Sequence, residues 1–215
     1  MAATGKAVQI VAGATEPAPR FRRAKPSDAI DLALETFLSE ARVDMQTLAA
    51  QLGVSSATLY RWFGSRAQLL DEVCGRLAVE FATGARADAR GDGDERVFDY
   101  ARRVMEASAP FPPVRSFVAR EPQLALRLLL GRDGSAHRVL VEQTRGLIAE
   151  ARGPGEPPLP EERVHLIVQV ATGLVWATFV IGEEPQIDSA VEVIGMILSA
   201  GASGAWRPTA RSSGA

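Results

Sequence analysis

The chain has 215 residues, 47% of them hydrophobic and 23% charged, with a formal net charge of −2. This ordinary globular composition excludes wholesale disorder, and any nucleic-acid-binding role has to rest on local rather than overall charge. A single cysteine, Cys74, excludes an internal disulfide and a multi-cysteine metal site. The only histidines, His137 and His165, are far apart in sequence, so no metal and no cofactor is expected.

In chain order, residues 1–26 read as a flexible tail. Its apolar run, residues 7–12, is at the short limit for an export signal, and Arg20, Arg22, Arg23 and Lys25 make it basic at its end. A first helix is expected over 28–42, with Ile30, Ala33, Leu34, Phe37 and Leu38 on one face, Ser27 as its cap, and Asp28 and Asp31 near its positive pole. Short helices follow at 45–52 and 56–63, then a longer one at 66–86. The Gly/Asp-rich stretch 88–94 marks a linker. Further helices are expected at 95–108, at 114–119 after a Pro-rich kink, and at 122–130 and 137–152. A Gly/Pro loop at 153–160 precedes two long apolar helices, 161–182 and 187–200, and residues 203–215 read as a second tail. Residues 164–182 approach membrane-spanning length, but His165, Gln169, Thr172 and Thr178 interrupt them. A helix buried between a domain core and a partner subunit fits better.

The segment 44–70 carries the strongest signal. Asp44 can cap the helix that starts at Met45, with Val43 and Leu48 forming a hydrophobic staple. Gly53 ends that helix where a left-handed residue is needed. Ser55 can cap the next one, with Val54 and Leu59 repeating the staple, and Gly64 ends it. Ser65 and Gln68 make a capping box for the fourth. Two short helices joined by so tight a turn must cross steeply, which is helix-turn-helix geometry. Leu48, Ala49, Leu52, Val54, Leu59 and Trp62 supply its small interior.

Residues 27–70 resemble the DNA-binding domain of TetR-family regulators. The likeness runs through Ala33 and Phe37, Leu48-Ala49, Gly53-Val54-Ser55, Thr58-Leu59-Tyr60, Phe63, Arg66 and Leu69-Leu70. Two departures are Arg66, where the family usually carries lysine, and the missing glycine after the first helix, around Ala41-Arg42. The resemblance implies an all-α protein. An N-terminal three-helix DNA-binding domain (27–70) would precede a helical-bundle domain (71–202) that binds an effector and dimerises. It also implies a recognition helix starting at Ser56 and presenting Ser56, Ala57, Thr58 and Arg61 to the major groove. Arg61 suits base reading, since guanidinium pairs bidentately with guanine. Thr58 suits a phosphate or a thymine methyl. Tyr60 and Trp62 suit phosphate contacts, as does Arg66 at a helix N-terminus. Thr47 and, through the basic arm, Arg23 complete the expected interface.

Further along, 114–130 and 181–188 are similar to the C-terminal domain of the QsdR-like subgroup, named for a lactone-catabolism regulator. That implies a small apolar or amphipathic effector, with lactones among the candidates. Phe98, Met105, Phe111, Phe117, Trp176 and Phe179 are the candidate pocket residues, although periodicity cannot separate pocket from core. The expected partners are a double-stranded DNA operator and a second copy of the chain, and the expected location is the cytoplasm, with no membrane association. No G-x-S-x-G, P-loop or dinucleotide glycine pattern is present, so no catalytic residue is expected. The stretch from Asp88 resembles a calcium loop but lacks its ligand spacing. An interaction module using the 164–182 helix is the remaining alternative.

Overall fold

The computed structural model describes residues 24–199. Among them the chain forms ten α-helices and no strand: α1 (Pro26–Leu38), α2 (Met45–Leu52), α3 (Ser56–Phe63), α4 (Arg66–Asp88), α5 (Asp94–Ser108), α6 (Pro112–Arg120), α7 (Pro122–Leu130), α8 (Ser135–Arg152), α9 (Glu161–Val180) and α10 (Ile187–Ser199). The two tails and the arm residues Arg20, Arg22 and Arg23 lie outside the described residues.

The first helix differs from expectation at both ends. Pro26 opens it at a position whose backbone N–H would be unpaired anyway, and the Asp28 carboxylate accepts the Lys25 N–H at 2.8 Å, so Ser27 lies inside the helix rather than capping it. The helix stops at Leu38 because Glu40 turns left-handed, with φ 59°, doing what the missing glycine would do. That conformation costs a residue with a Cβ roughly 1–2 kcal/mol. Two contacts from α6 hold it: Arg120 donates to the Glu40 carbonyl, and the Ser116 hydroxyl donates to the Glu40 carboxylate. The Pro-rich stretch is a helix start, with Pro112 and Pro113 in the first turn of α6.

Helices α1–α3 close over the first turns of α4. Ala33, Phe37, Leu48, Ala49, Leu59 and Leu69 are buried there, while Trp62 is only partly covered. Farther along, α4 becomes the spine of a second bundle and lies against α8 and α5. Gly75 permits that approach: a Cβ on it would sit 2.8 Å from the Ser135 Cβ. Beside it, Asp71 of α4 caps α8, accepting the Ser135 N–H at 3.0 Å and its hydroxyl at 2.6 Å. α9 is long and apolar enough to cross a membrane by length and composition. Here it packs against α7, α8 and α10, burying Val164, Ile167, Val168 and Trp176. The hydroxyls of Thr172 and Thr178 donate at 2.8 Å to the carbonyls of Val168 and Leu174, which satisfies them within the helix.

Candidate nucleic-acid interface and effector cavity

The turn between α2 and α3 is built from local hydrogen bonds. Asp44 accepts from the N–H groups of Gln46 and Thr47 at 3.1 and 2.9 Å, and from the Thr47 hydroxyl at 3.0 Å. These bonds, the Thr47 N–H first, hold its carboxyl below the usual carboxylate range. Gly53 is left-handed at φ 65°, and the Ser55 hydroxyl accepts the Thr58 N–H at 3.2 Å. Within α3 only Leu59 is buried. Ala57, Tyr60 and Arg61 are exposed, and Ser56, Thr58 and Trp62 are half-buried. Thr58, Arg61 and Trp62 line a groove shared with Lys25 at the start of α1 and with Leu52, Gly53 and Val54. Arg61 has no carboxylate partner among the described residues, so its guanidinium is available to an anion or a base edge. Residues 24–70 carry four Lys/Arg against five Asp/Glu, so attraction to phosphate depends on where these few cations lie.

Arg66 is placed differently from its expected phosphate role. Its Nε donates to the Val43 carbonyl at 2.5 Å, and its two terminal nitrogens donate to the Glu121 carboxylate at 2.7 and 2.6 Å. Three donor nitrogens are thus committed inside the protein. Glu121 is the residue between α6 and α7, and the Arg66 hydrogen bonds hold its carboxyl below the usual range against the opposing effect of burial. With Phe37 edge-on to Phe117 at 5.5 Å and the two contacts to Glu40, this pair joins the helix-turn-helix unit to α6.

The second bundle encloses a cavity of about 80 Å³ between α4, α5, α6, α7, α8 and α9. Its lining is apolar apart from Tyr100, Ser108, Thr144, Thr172 and the Cys74 thiol, and no charged side chain reaches it. Of the expected pocket residues, Met105 and Trp176 line it. Phe98, Phe111, Phe117 and Phe179 do not. Phe111 packs edge-on against Phe81 at 5.3 Å, Phe179 against Trp176 at 6.5 Å beneath the Arg115 guanidinium, and Phe98 beside Gly195 of α10. Burial pushes the Cys74 thiol up to about 12, which leaves it protonated and unreactive.

The description "Bacterial regulatory proteins, tetR family" matches residues 39–73, and "Tetracyclin repressor-like, C-terminal domain" matches residues 92–199. This chain belongs to the TetR family. The TetR-family regulator shares its fold along nearly its full length with QsdR, a transcriptional repressor from R. erythropolis. The TM-score is 0.74 at 27% identity, covering 86% of this chain and 97% of that one. It is also similar in fold to the repressor AlkX from Dietzia sp. strain DQ12-45-1b, at TM-score 0.53 and 21% identity, covering 83% of this chain and 96% of AlkX. A Streptomyces coelicolor A3(2) structure is similar at TM-score 0.53 and 24% identity, covering 86% of this chain and 100% of its own. No curated protein gives a significant match.

Several residues that shape these sites in the regulator carry no local signal in the sequence. Glu121 precedes a proline, which marks a helix boundary but not an arginine partner. Tyr100 shares the buried face of α5 with Val97, Ala101 and Met105, and nothing in its spacing marks it as one of the polar groups on the cavity wall. His137 and His165, distant in sequence, meet across α8 and α9, with Nε2 and Nδ1 2.8 Å apart. His137 is fully buried, its Nδ1 has no partner, and burial pulls its pKa down to about 4.

Proposed function

We propose that this TetR-family regulator is a ligand-responsive repressor that binds a palindromic operator as a homodimer and is released by a small apolar or amphipathic effector. One observation carries the reading: α4 serves both sites. Its first turns hold Arg66, Leu69 and Leu70 against the helix-turn-helix, and its middle supplies Cys74, Leu77, Ala78 and Phe81 to the cavity wall. At 23 residues it spans about 34 Å, so a small tilt at the cavity becomes a larger displacement at α3. A cavity of about 150 Å³ is needed to take benzene. This one, at about 80 Å³, must widen to admit an effector, and α4 is among the walls that move. An effector favouring the widened state by ~3 kcal/mol would lower operator affinity roughly a hundredfold.

In this reading Arg61 is the principal base reader, and Ser56, Ala57 and Thr58 face the same groove. Thr47, Tyr60 and Trp62 contact phosphate, and Arg23 adds an arm contact. Exposed Ile181 and Met196, 69% and 68% accessible, favour a second copy of the chain seated on α9 and α10. The likeness to QsdR in the C-terminal half keeps lactones among the candidate effectors. The protein would act in the cytoplasm, by binding and without catalysis.

Selection of bound duplexes from a random pool tests the reading. A palindromic consensus is expected, with half-sites about 34–36 Å apart or a multiple of that spacing. On the selected site, Arg61→Ala should cost about 1–3 kcal/mol and relax the choice of base at one position. No enrichment by the folded protein, or an equal loss on all sequences, would overturn the operator reading and the base-reader role respectively.

A further inference from the structure

We propose that the cavity is built for an uncharged, mainly hydrocarbon ligand carrying one hydrogen-bond acceptor, and that the Tyr100 hydroxyl is the group that holds that acceptor. This deepens the ligand-responsive reading and rests on it. The argument starts from the lining. Its side chains come from six helices and none is ionisable except Tyr100 and Cys74, both of which stay protonated. A carboxylate or ammonium entering here would lose its water and find no counter-charge.

The polar atoms differ in how far they are committed. The Thr172 hydroxyl donates to the Val168 carbonyl at 2.8 Å, and the Ser108 hydroxyl to the Met105 carbonyl at 3.4 Å. The Tyr100 hydroxyl is fully buried; Thr144, which lines the same cavity, is close enough to act on it, but the two form no hydrogen bond of normal length and geometry. A buried phenol without an acceptor is destabilising, so its presence on the wall of an otherwise apolar cavity calls for a partner. An acceptor on a ligand provides one. Tyr100 also ties the ligand to the fold, since α5 packs against α4, whose Leu77 and Phe81 line the same cavity.

The choice between a neutral and a charged ligand is therefore made by the lining, and the orientation by a single donor. Ketones, esters and lactones with a short alkyl chain satisfy both conditions, whereas fatty-acid anions of the same length fail the first and alkanes fail the second.

The test uses full-length protein at pH 8 and a matched pair of probes, 2-octanone and octanoate, titrated by calorimetry into the wild type and into Tyr100→Phe. The wild type should bind 2-octanone at least tenfold more tightly than octanoate. Tyr100→Phe should weaken 2-octanone binding about fivefold, the effect of one neutral hydrogen bond, and leave octanoate binding unchanged. Without ligand, Tyr100→Phe should melt at the same temperature as the wild type or higher, because it removes an unpaired donor; a lower melting temperature would mean the hydroxyl is already satisfied and would overturn its assignment. Octanoate binding as tightly as the ketone, binding of neither probe, or equal ketone affinity in both proteins would also overturn the proposal. Operator affinity is measured in parallel. Tyr100-dependent ketone binding that left operator affinity unchanged would support this cavity chemistry and remove the release mechanism instead.

Discussion

Arg66 and Glu121 can be tested as the joint between the two halves of the molecule. The guanidinium makes two contacts of 2.7 and 2.6 Å with the carboxylate, and both side chains are about three-quarters or more covered, at 21% and 25% exposure. With about 4 Å between charge centres and an effective dielectric constant near 20, the attraction is ~4 kcal/mol. Withdrawing both ions from water offsets much of that, and a partly buried bidentate pair is left with a net coupling of about 1–2 kcal/mol. Arg66→Ala strands the Val43 carbonyl and leaves the Glu121 carboxylate with only the exposed Arg42, 4.0 Å away, so it should destabilise by about 2 kcal/mol. Glu121→Gln should cost somewhat less. The double variant should fall short of the sum by the coupling energy, read from urea midpoints at constant m. DNA binding supplies a second readout. A residue committed to Glu121 contributes no counterion release, so Arg66→Ala should leave the salt dependence of operator binding unchanged, whereas a phosphate contact would reduce the slope by about one unit. Additive stability effects together with a reduced slope would refute the joint and restore Arg66 to the DNA interface.

Two further predictions concern the second bundle. His137 is neutral in the folded protein, with a pKa near 4 against an ordinary value of 6.5, so the unfolded chain takes up its proton first as pH falls. Its contribution is complete above about pH 6.5 and lost progressively towards pH 4, amounting to about 3 kcal/mol over that window. His137→Leu should flatten the stability profile between pH 6.5 and 4.5, above the range where the depressed carboxyls of Asp44, Asp99 and Glu121 titrate; parallel profiles for the two proteins would contradict it. Gly75→Ala would raise helix propensity by about 1 kcal/mol at an open position. Here the added methyl meets the Ser135 Cβ at 2.8 Å, and overpacking of about 1–3 kcal/mol should dominate. The melting temperature should drop by several degrees, and a rise would show that α4 and α8 can separate freely.

What was legible in the sequence was local. The α2–α3 unit came through with its boundaries intact because each signal acts within a few residues: Asp44 on Thr47, Ser55 on Thr58, and Gly53 on its own backbone. The failures came from partners distant in the chain. The first helix ends early because Ser116 and Arg120, 76 and 80 residues away, hold Glu40 left-handed. Arg66 suits a phosphate and a carboxylate equally well, and only the fold brings Glu121, 55 residues on, within reach. The aromatic residues failed for a related reason. Phe98, Phe111, Phe117 and Phe179 look as apolar in the sequence as Met105 and Trp176, but they pack against neighbouring side chains and helices rather than line the cavity. Four residues whose partners are distant in the chain share a location. Glu40, Arg66, Phe117 and Glu121 all sit where the helix-turn-helix meets α6, a seam made only by long-range contacts. α6 also contributes Val114 to the cavity, so one short helix touches both the ligand space and the Arg66–Glu121 joint. An effector that displaced α6 would therefore strain this seam as well as tilting α4. The two routes are separable, because Glu121→Gln weakens only the first.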